Sequence, residues 1–418
     1  MALIILGLLP LAVMYYYGFN KYRNHVGLLL AFPLVLHFSL NIFGVLNLYL
    51  GAGTTTINIS VTQGTINQVT LEFFISYFLI TVAFFVLMKF LGKTTFHLDV
   101  SSYFSSKYSR VVNIRLICVS IMLLLFDALY YGVPPGLYAL NFDVAGAALQ
   151  KGHILEAKIN GSVPILGYYV RYVPLIAFVH AMLFYLFNQY GSKYFYLLCV
   201  VFFIYSLLTL VKSYLLMPMM LLIWTLFVLG KLRAVNLVAI FITILIILFI
   251  SFSGLNSNMS EILVKIFERI FLVQAEGMYV IRDYYGDFEL GALLYSSPLR
   301  YMFDVQTFDP AAGVVNHYFG QGNGWVNMNS FYSGQGYLMF GYLYLIMIPM
   351  LFISQFLLSR ALLRWFLPRG LSNVVLISII MLLPLSNNIA NLVWFKDLLA
   401  IIFILPFIWM ITYTKKIF

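Results

Sequence analysis

The stretch AVNLVAIFITILIILFISFS, Ala234–Ser253, is apolar from end to end, and the chain changes character immediately after it. From Gly254 to Gln335 the composition is that of a soluble protein, before a second long apolar run begins. This connection is much longer than two neighbouring helices need, and loops beyond about 15 residues are usually functional or disordered. The chain is therefore predicted to comprise a first helical part, a large loop and a second helical part. Their limits are 1–253, 254–335 and 336–418.

The large loop contains most of the side chains that could carry chemistry. Eight of the fourteen acidic residues of the chain lie in it, together with one histidine, His317. It is also rich in aromatic residues, which disordered segments lack, so it is predicted to be folded. Within Glu261–Arg282, apolar residues follow helical spacing opposite a charged face. This pattern predicts an amphipathic helix along the membrane interface.

The composition of the whole chain is that of a membrane protein. Its 418 residues are 63% hydrophobic and only 9% charged, with a mean hydropathy of +0.96, whereas about a quarter of the residues of soluble proteins are charged. At about 20 apolar residues per span, the predicted fold is an all-α polytopic membrane protein with about eleven transmembrane helices. They are placed at 2–19, 26–49, 71–91, 114–132, 164–187, 194–211, 214–230, 234–253, 336–358, 371–389 and 398–414.

The charges in the short loops predict the orientation. If the loops alternate between the two sides, one side receives fifteen lysines and arginines and a single acid, Asp99. Cytoplasmic loops carry an excess of basic residues, so this side is predicted to be cytoplasmic. The N-terminus and the large loop are then external and the C-terminus is internal. The net charge of +10 is explained by this topology, and no nucleic-acid partner is expected.

Several chemistries are argued against by what the sequence lacks. Cys118 and Cys199 both lie within apolar runs, so neither a disulfide framework nor a paired-cysteine metal site is expected. Motifs of P-loop, HExxH and GxSxG type do not occur, which argues against ATP-driven transport and classical hydrolase action. The first external loop, Leu50–Thr70, has no charge and is predicted to be a turn-rich cap. Metal-dependent membrane glycosyltransferases place acids there, so neither a metal nor another cofactor is expected.

Basic residues near the external surface form the first candidate site. Arg171, Lys212, Arg282 and Arg300 are not needed to set the topology, and guanidinium and ammonium groups at one depth suit a pyrophosphate. Arg171 lies inside the fifth span, where an ionisable group is a candidate for function, and Asp127 is its predicted partner. A structural explanation competes, since such cations also form ion pairs or extend to the membrane surface.

A catalytic base and a sugar-binding surface are the second group of candidates. His317 is the favoured general base because an unperturbed histidine titrates near neutrality, with Asp283 and Asp287 as alternatives. Aromatic rings stack on sugar faces and amides bind hydroxyls, which makes Trp325, Asn329 and Tyr332 candidate glycan-binding residues. The same aromatic residues would also suit a belt at the membrane interface.

Three short motifs resemble a known family. They are Thr209-Leu210-Val211-Lys212-Ser213 before an apolar helix, Asn327-Met328-Asn329-Ser330-Phe331-Tyr332, and Gly336-Tyr337-Leu338-Met339-Phe340-Gly341 leading into the next helix. Together with the array of spans, they resemble bacterial oligosaccharide repeat-unit polymerases of the Wzy type. Where that family usually has threonine and aspartate, this chain has Ser330 and Met339.

The resemblance implies an activity and partners. Members of the family polymerise O-antigen, capsule or related surface glycans, including those of lipopolysaccharide biosynthesis, at the outer face of the bacterial inner membrane. They move a growing glycan from undecaprenyl pyrophosphate onto the next lipid-linked unit, without metal or nucleotide. The implied partners are the lipid-linked donor and acceptor, membrane lipid, a chain-length regulator and a flippase. The alternatives are an O-antigen ligase, a lipid-linked oligosaccharide flippase and a non-catalytic structural partner.

Overall fold

The computed structural model of the chain describes most of the predicted helices and part of the large loop. The described residues are 7–13, 15–16, 26–51, 55–56, 58–91, 93–141, 143, 146–147, 149–154, 164–188, 192–211, 213–231, 264, 268, 272–295, 297, 299, 302, 305–320, 332–380 and 389–413. Throughout this part of the chain the regular elements are helices, and no strand element is present.

The helices are numbered here in chain order. Up to the large loop they are α1 (Phe32–Leu50), which follows a 3₁₀ segment at Val26–Ala31, α2 (Gln63–Leu91), α3 (Lys93–Phe104), α4 (Lys107–Tyr130), α5 (Pro135–Leu140), α6 (Pro164–Asn188), α7 (Ser192–Thr209) and α8 (Ser213–Val228). From the large loop onward they are α9 (Val273–Tyr285), α10 (Leu290–Leu294), α11 (Pro310–Phe319), α12 (Tyr332–Phe340), α13 (Tyr344–Phe366), α14 (Arg369–Ile380), α15 (Ile389–Val393) and α16 (Lys396–Thr412).

Five helical stretches within the described residues are long and apolar enough to cross a membrane. They are Gly27–Leu50, Gln63–Leu91, Lys107–Tyr130, Tyr169–Phe187 and Tyr332–Phe366. The predicted class, an all-α membrane protein, is confirmed at this level. The count of eleven spans stays a prediction, and the span predicted at 234–253 lies outside the described residues.

Two helices differ from the sequence prediction at polar segments. Helix α2 begins at Gln63, eight residues before the predicted span, so the last third of the predicted cap at Leu50–Thr70 is helical. Helix α3 occupies a segment predicted as a cytoplasmic loop. Both segments are polar, and a search for apolar windows does not detect a helix whose exposed turns carry Thr, Gln, Asn or Lys. The predicted start of α2 is therefore wrong, and α3 is missing from the prediction, because hydropathy does not detect polar helical turns.

Helix α9 overlaps the second half of the predicted amphipathic helix. The residues from Ala275 to Arg282 are all buried, and α9 packs against α1, α2 and α12. This half therefore lies inside the helical body and not along the membrane interface. Most of the residues that carry the amphipathic pattern, 261–263, 265–267 and 269–271, lie outside the described residues, so an interfacial position stays a prediction for that half.

The helix pair α12–α13 brings the end of the large loop into the core. Helix α12 is buried from Tyr332 to Met339, and Gly334 lies so close to α9 that a Cβ there would come within 2.9 Å of the Met278 Cα. Gly341 follows with φ of +56°, a conformation that favours glycine. The 3₁₀ turn Gly341–Leu343 then leads into α13. This break lets α12 lie beside α9 while α13 continues along α2.

Candidate functional site

Arg282 is the predicted pyrophosphate ligand that the structure places inside the protein. It lies in the last turn of α9 and is 8% exposed. Its Nη1 donates a hydrogen bond to the backbone carbonyl of Gly286, which caps the end of its own helix. Its Nη2 lies 4.0 Å from Oε1 of Glu72 on α2. That distance is too long for a hydrogen bond, so the guanidinium and the carboxylate interact through charge alone.

Glu72 is held by neutral donors. Gln68 Nε2 donates to Glu72 Oε1 at 3.0 Å, and the Tyr344 hydroxyl donates to Oε2 at 3.2 Å. Glu72 is 6% exposed, and a buried carboxylate without a cation or donors would be costly. The two donors and the nearby guanidinium therefore fix this acid in one position.

Tyrosine rings enclose the guanidinium. The Arg282 Cζ lies 3.0 Å from the ring centroid of Tyr337 and 5.9 Å from that of Tyr342. Aromatic faces attract cations within about 6 Å, and a planar guanidinium can stack on them. These residues are called the Arg282 cluster below. Its members are Gln68, Glu72, Arg282, Tyr337, Tyr342 and Tyr344.

The uncharged first loop anchors the helix that carries Arg282. Glu276 on α9 accepts hydrogen bonds from the backbone N–H of Thr56 at 2.7 Å and from its hydroxyl at 2.9 Å. Asp283 Oδ1 accepts from the hydroxyls of Thr62 and Thr65, both at 2.7 Å, and from the Thr62 N–H at 3.3 Å. Burial raises the pKa of Glu276, although the bonds from Thr56 act in the opposite direction. Threonines near the end of the first loop thus supply donors to two acids of α9.

The three candidate bases occupy different surroundings. His317 is exposed on α11, with its ring 4.5 Å from that of Tyr284 and 4.9 Å from that of Tyr318, measured between centroids. Helix α11 packs on α9, which places His317 on an element next to Arg282. Asp287 is exposed in the turn after α9. Asp283 has an oxygen occupied by three donors, so it serves as an anchor between α9 and the start of α2.

Arg171 does not join this group, and its predicted pair with Asp127 is wrong. Arg171 is exposed, with its guanidinium 5.5 Å from the ring centroid of Tyr172. Asp127 is buried and accepts a hydrogen bond from the Tyr205 hydroxyl at 2.5 Å. Val170 packs in a small cluster with Tyr205, and each helical residue is rotated by about 100° from the last. Residue 171 therefore points away from the aspartate.

Of the remaining candidates, the structure describes only Tyr332, and it contradicts the role predicted for that residue. Tyr332 is fully buried, and its hydroxyl donates to the Ser76 carbonyl at 2.8 Å. It offers no surface to a glycan, so that prediction is wrong, because the motif belongs to a buried helix. Lys212, Arg300, Trp325 and Asn329 lie outside the described residues.

The sequence prediction missed the partners of Arg282. Glu72 lies in the first half of α2, Tyr337 lies within the Gly336–Gly341 motif, and Tyr342 and Tyr344 follow that motif. One signal was present: Glu72 is the acid that begins an otherwise apolar span, and an ionisable residue in a span suggests a specific partner. That signal does not say which cation, since residues 72 and 282 meet only through the packing of α9 on α2.

A cavity of about 510 Å³ lies away from the Arg282 cluster, and aromatic residues of α4, α13 and α16 line it. The Arg282 cluster is a filled polar contact between helices in this conformation, and a ligand would have to approach it from the exposed side of Tyr342, which is 57% exposed. Within the described ranges, histidine, cysteine and acidic residues do not gather in groups of three as metal ligands would.

Comparison of the chain with protein-family models, with curated proteins and with solved structures gives no match in any of the three cases.

Proposed function

We propose that this protein is an enzyme that polymerises lipid-linked oligosaccharide repeat units into a surface polysaccharide, at the outer face of a bacterial inner membrane. The observation that carries the proposal is Arg282, a cation held inside the helical body where the large loop meets the spans. Its position, among rings and beside a carboxylate, suits the pyrophosphate of a polyprenyl-linked glycan. The resemblance of three motifs to Wzy-type polymerases supports the same conclusion.

The hydrogen bonds of Arg282 leave it able to bind phosphate. Within the described residues, only Nη1 makes a hydrogen bond, to Gly286. The other N–H groups remain for phosphate oxygens, which guanidinium groups bind in pairs. Glu72 keeps the side chain in place from 4.0 Å. A pyrophosphate carries more negative charge than one carboxylate and would outcompete Glu72 for the cation.

The reaction follows from that placement. An acceptor sugar hydroxyl attacks the anomeric carbon of the donor glycan, so a new C–O bond forms as the bond to the pyrophosphate oxygen breaks. The electron pair leaves with the lipid pyrophosphate, and the acceptor proton passes to the base. Arg282, with Lys212 and Arg300 as further candidates, stabilises the charge that develops on the leaving group. Such electrostatic stabilisation is usually the largest contribution to catalysis.

His317 is the proposed base. It is exposed, as a group that must meet a sugar hydroxyl has to be, and α11 carries it beside α9. Asp287 is the alternative, because it is also exposed. Asp283 is less suitable, since three hydrogen bonds already engage one of its oxygens.

The proposal includes an orientation and partners. The N-terminus and the large loop face the outside and the C-terminus faces the cytoplasm, following the excess of basic residues in the short loops. Donor and acceptor lipids reach the site laterally from the bilayer. A flippase supplies the lipid-linked units, and a chain-length regulator acts on the product.

Deletion of the gene in its host tests this function. Surface glycan separated on a gel should show lipid carrying a single repeat unit, and a plasmid copy of the gene should restore long chains. If no glycan-capped lipid remained, the protein would be a ligase or a flippase. An unchanged ladder of chain lengths would contradict all three functions.

A further inference from the structure

A groove of aromatic residues lies at the end of the bundle where α4 begins and where α13 and α16 end. Tyr108, Trp365, Phe366, Trp409 and Tyr413 line the cavity of about 510 Å³. Trp365 is 83% exposed, and Trp409 and Tyr413 are about half exposed. Small-molecule sites commonly have volumes of about 300–1,000 Å³. These residues and the cavity are called the aromatic groove below.

The backbone around the aromatic groove is firmly connected. The Tyr108 hydroxyl donates to the Thr412 carbonyl at 3.0 Å, and Arg115 Nη1 donates to the carbonyls of Ile411 and Tyr413 at 3.1 and 3.0 Å. Arg115 thereby caps carbonyls at the end of α16 that have no partner within the helix. The groove is a preformed site between helix ends, because these bonds tie α4 to α16.

Basic residues adjoin the groove. Lys107 precedes Tyr108, Arg364 precedes Trp365, and Arg369 follows Pro368, and all three cations are exposed. Arg364 is paired with an acid, since the Asp99 carboxylate lies 3.7 Å from its guanidinium. Arg115 contributes a further cation, and its Nε and Nη2 make no hydrogen bond within the described part of the chain. An apolar cavity beside Lys107, Arg115 and Arg369 is complementary to an amphiphile with a negative head.

We propose that the aromatic groove binds an anionic phospholipid. The phosphate and the anionic headgroup contact Arg115, Arg369 and Lys107, while the first part of an acyl chain lies against Trp365 and Trp409. Tryptophan and tyrosine favour the boundary between headgroups and acyl chains, and basic pockets between helices bind anionic headgroups. The site is separate from the Arg282 cluster and does not depend on the proposed polymerase activity.

Lipid-dependent quenching of tryptophan fluorescence tests the site. The full-length protein is placed in nanodiscs in which brominated phosphatidylglycerol or brominated phosphatidylcholine replaces a rising fraction of the unlabelled lipid. Phosphatidylglycerol should quench at a several-fold lower fraction than phosphatidylcholine. A Trp365→Phe/Trp409→Phe variant should lose this preferential quenching, because Trp224 and Trp394, the other tryptophans within the described residues, do not line the groove.

Charge variants decide whether the groove causes the preference. A basic residue near a lipid surface contributes about five-fold in affinity, so Lys107→Gln/Arg369→Gln should reduce the preference for phosphatidylglycerol by roughly ten-fold or more. Lys193→Gln is the matched control, since it removes an exposed charge from the start of α7. Equal quenching by the two lipids in the wild-type protein would overturn the proposal. So would an equal loss of preference in the control variant.

Discussion

The two ends of α13 carry positive charge in opposite ways. At its first residue, Tyr344 contacts the Arg282 cluster, where one buried guanidinium lies among an acid and rings. About 30 Å away along the helix, Trp365 lies in the aromatic groove, where several exposed cations adjoin a cavity. By number of charges the second end is the more basic. Burial and specific partners, rather than the number of charges, distinguish a candidate reaction site from a surface that attracts lipid.

The largest effect is expected in an experiment that determines which side of the membrane each end of α13 faces. A reporter fused at Asn323 should be active only outside the cytoplasm, and one fused after Phe418 only inside, because fifteen basic residues and one acid lie in the loops predicted to be internal. Each reporter is active on one side of the membrane and inactive on the other, so the result at each fusion site is all-or-none. The opposite activities would place the Arg282 cluster in the cytoplasm, where the proposed polymerisation does not occur.

Loss of the base should be the next largest effect. His317→Ala should slow chain extension by roughly two to four orders of magnitude, the usual cost of losing a general base, while lipid-linked units still bind. Purified protein with lipid-linked repeat units provides the measurement. His153→Ala is the control, since His153 is another exposed histidine in a loop predicted to be external. Wild-type rates for His317→Ala would transfer the role to Asp287 or remove the need for a base.

The sequence predicted the helices well where they are apolar and poorly where they are polar. The spans at 71–91 and 164–187 correspond to α2 and α6, because hydropathy detects residues that face lipid or the core. The first turns of α2 are uncharged and polar, so hydropathy does not detect them, although the Thr62 hydroxyl accepts a hydrogen bond from the Thr65 N–H at the start of the helix. Asp283 accepts hydrogen bonds from both threonine hydroxyls. No local pattern predicts that contact, since the partners lie more than two hundred positions apart.

The residues of the candidate site were also predicted only in part. The sequence predicts Arg282 as a cation near the external surface, and the structure shows that it is buried. Its carboxylate partner, Glu72, was missed because their contact depends on how α9 packs against α2. Arg171 and Asp127 were paired by depth alone, but the rotation of successive helical residues separates them. The depth of a residue in the membrane can be estimated from the sequence, whereas the direction in which its side chain points is known only from the packed structure.

Tyr332 provides a test of a structural assignment near the Arg282 cluster. Tyr332→Phe removes the hydrogen bond to the Ser76 carbonyl and should lower the free energy of unfolding by about 0.5–1.5 kcal/mol. Thermal unfolding in detergent would measure this. Tyr318→Phe, at an exposed ring, should leave the unfolding midpoint unchanged. A stable Tyr332→Phe protein with weakened glycan binding would restore the original prediction for this residue.

The smallest effect concerns Glu276, which anchors α9 to the first loop. Because burial raises its pKa in the folded protein, the neutral acid is favoured, and this contribution to stability is lost as pH rises from about 4.5 through the folded-state pKa. Glu276→Gln cannot ionise and lacks this loss. The unfolding midpoint of the variant should therefore improve relative to that of the wild type between pH 4 and pH 8. If the unfolding midpoints of the variant and the wild type changed equally with pH, burial would not be raising the pKa of Glu276.

The most direct measurement is chain extension by a protein whose Arg282–Glu72 pair is replaced by two neutral amides. In Arg282→Gln/Glu72→Gln no buried charge is left unpaired, so the fold should persist, as thermal unfolding can verify. Lys193→Gln, which removes an exposed charge at the start of α7, is the control and should extend chains normally. In nanodiscs with lipid-linked repeat units, the double variant should lose at least about a hundred-fold in rate, the scale for removing one charge-stabilising group. Extension by a folded double variant at the wild-type rate would contradict the assignment of the Arg282 cluster as the pyrophosphate site.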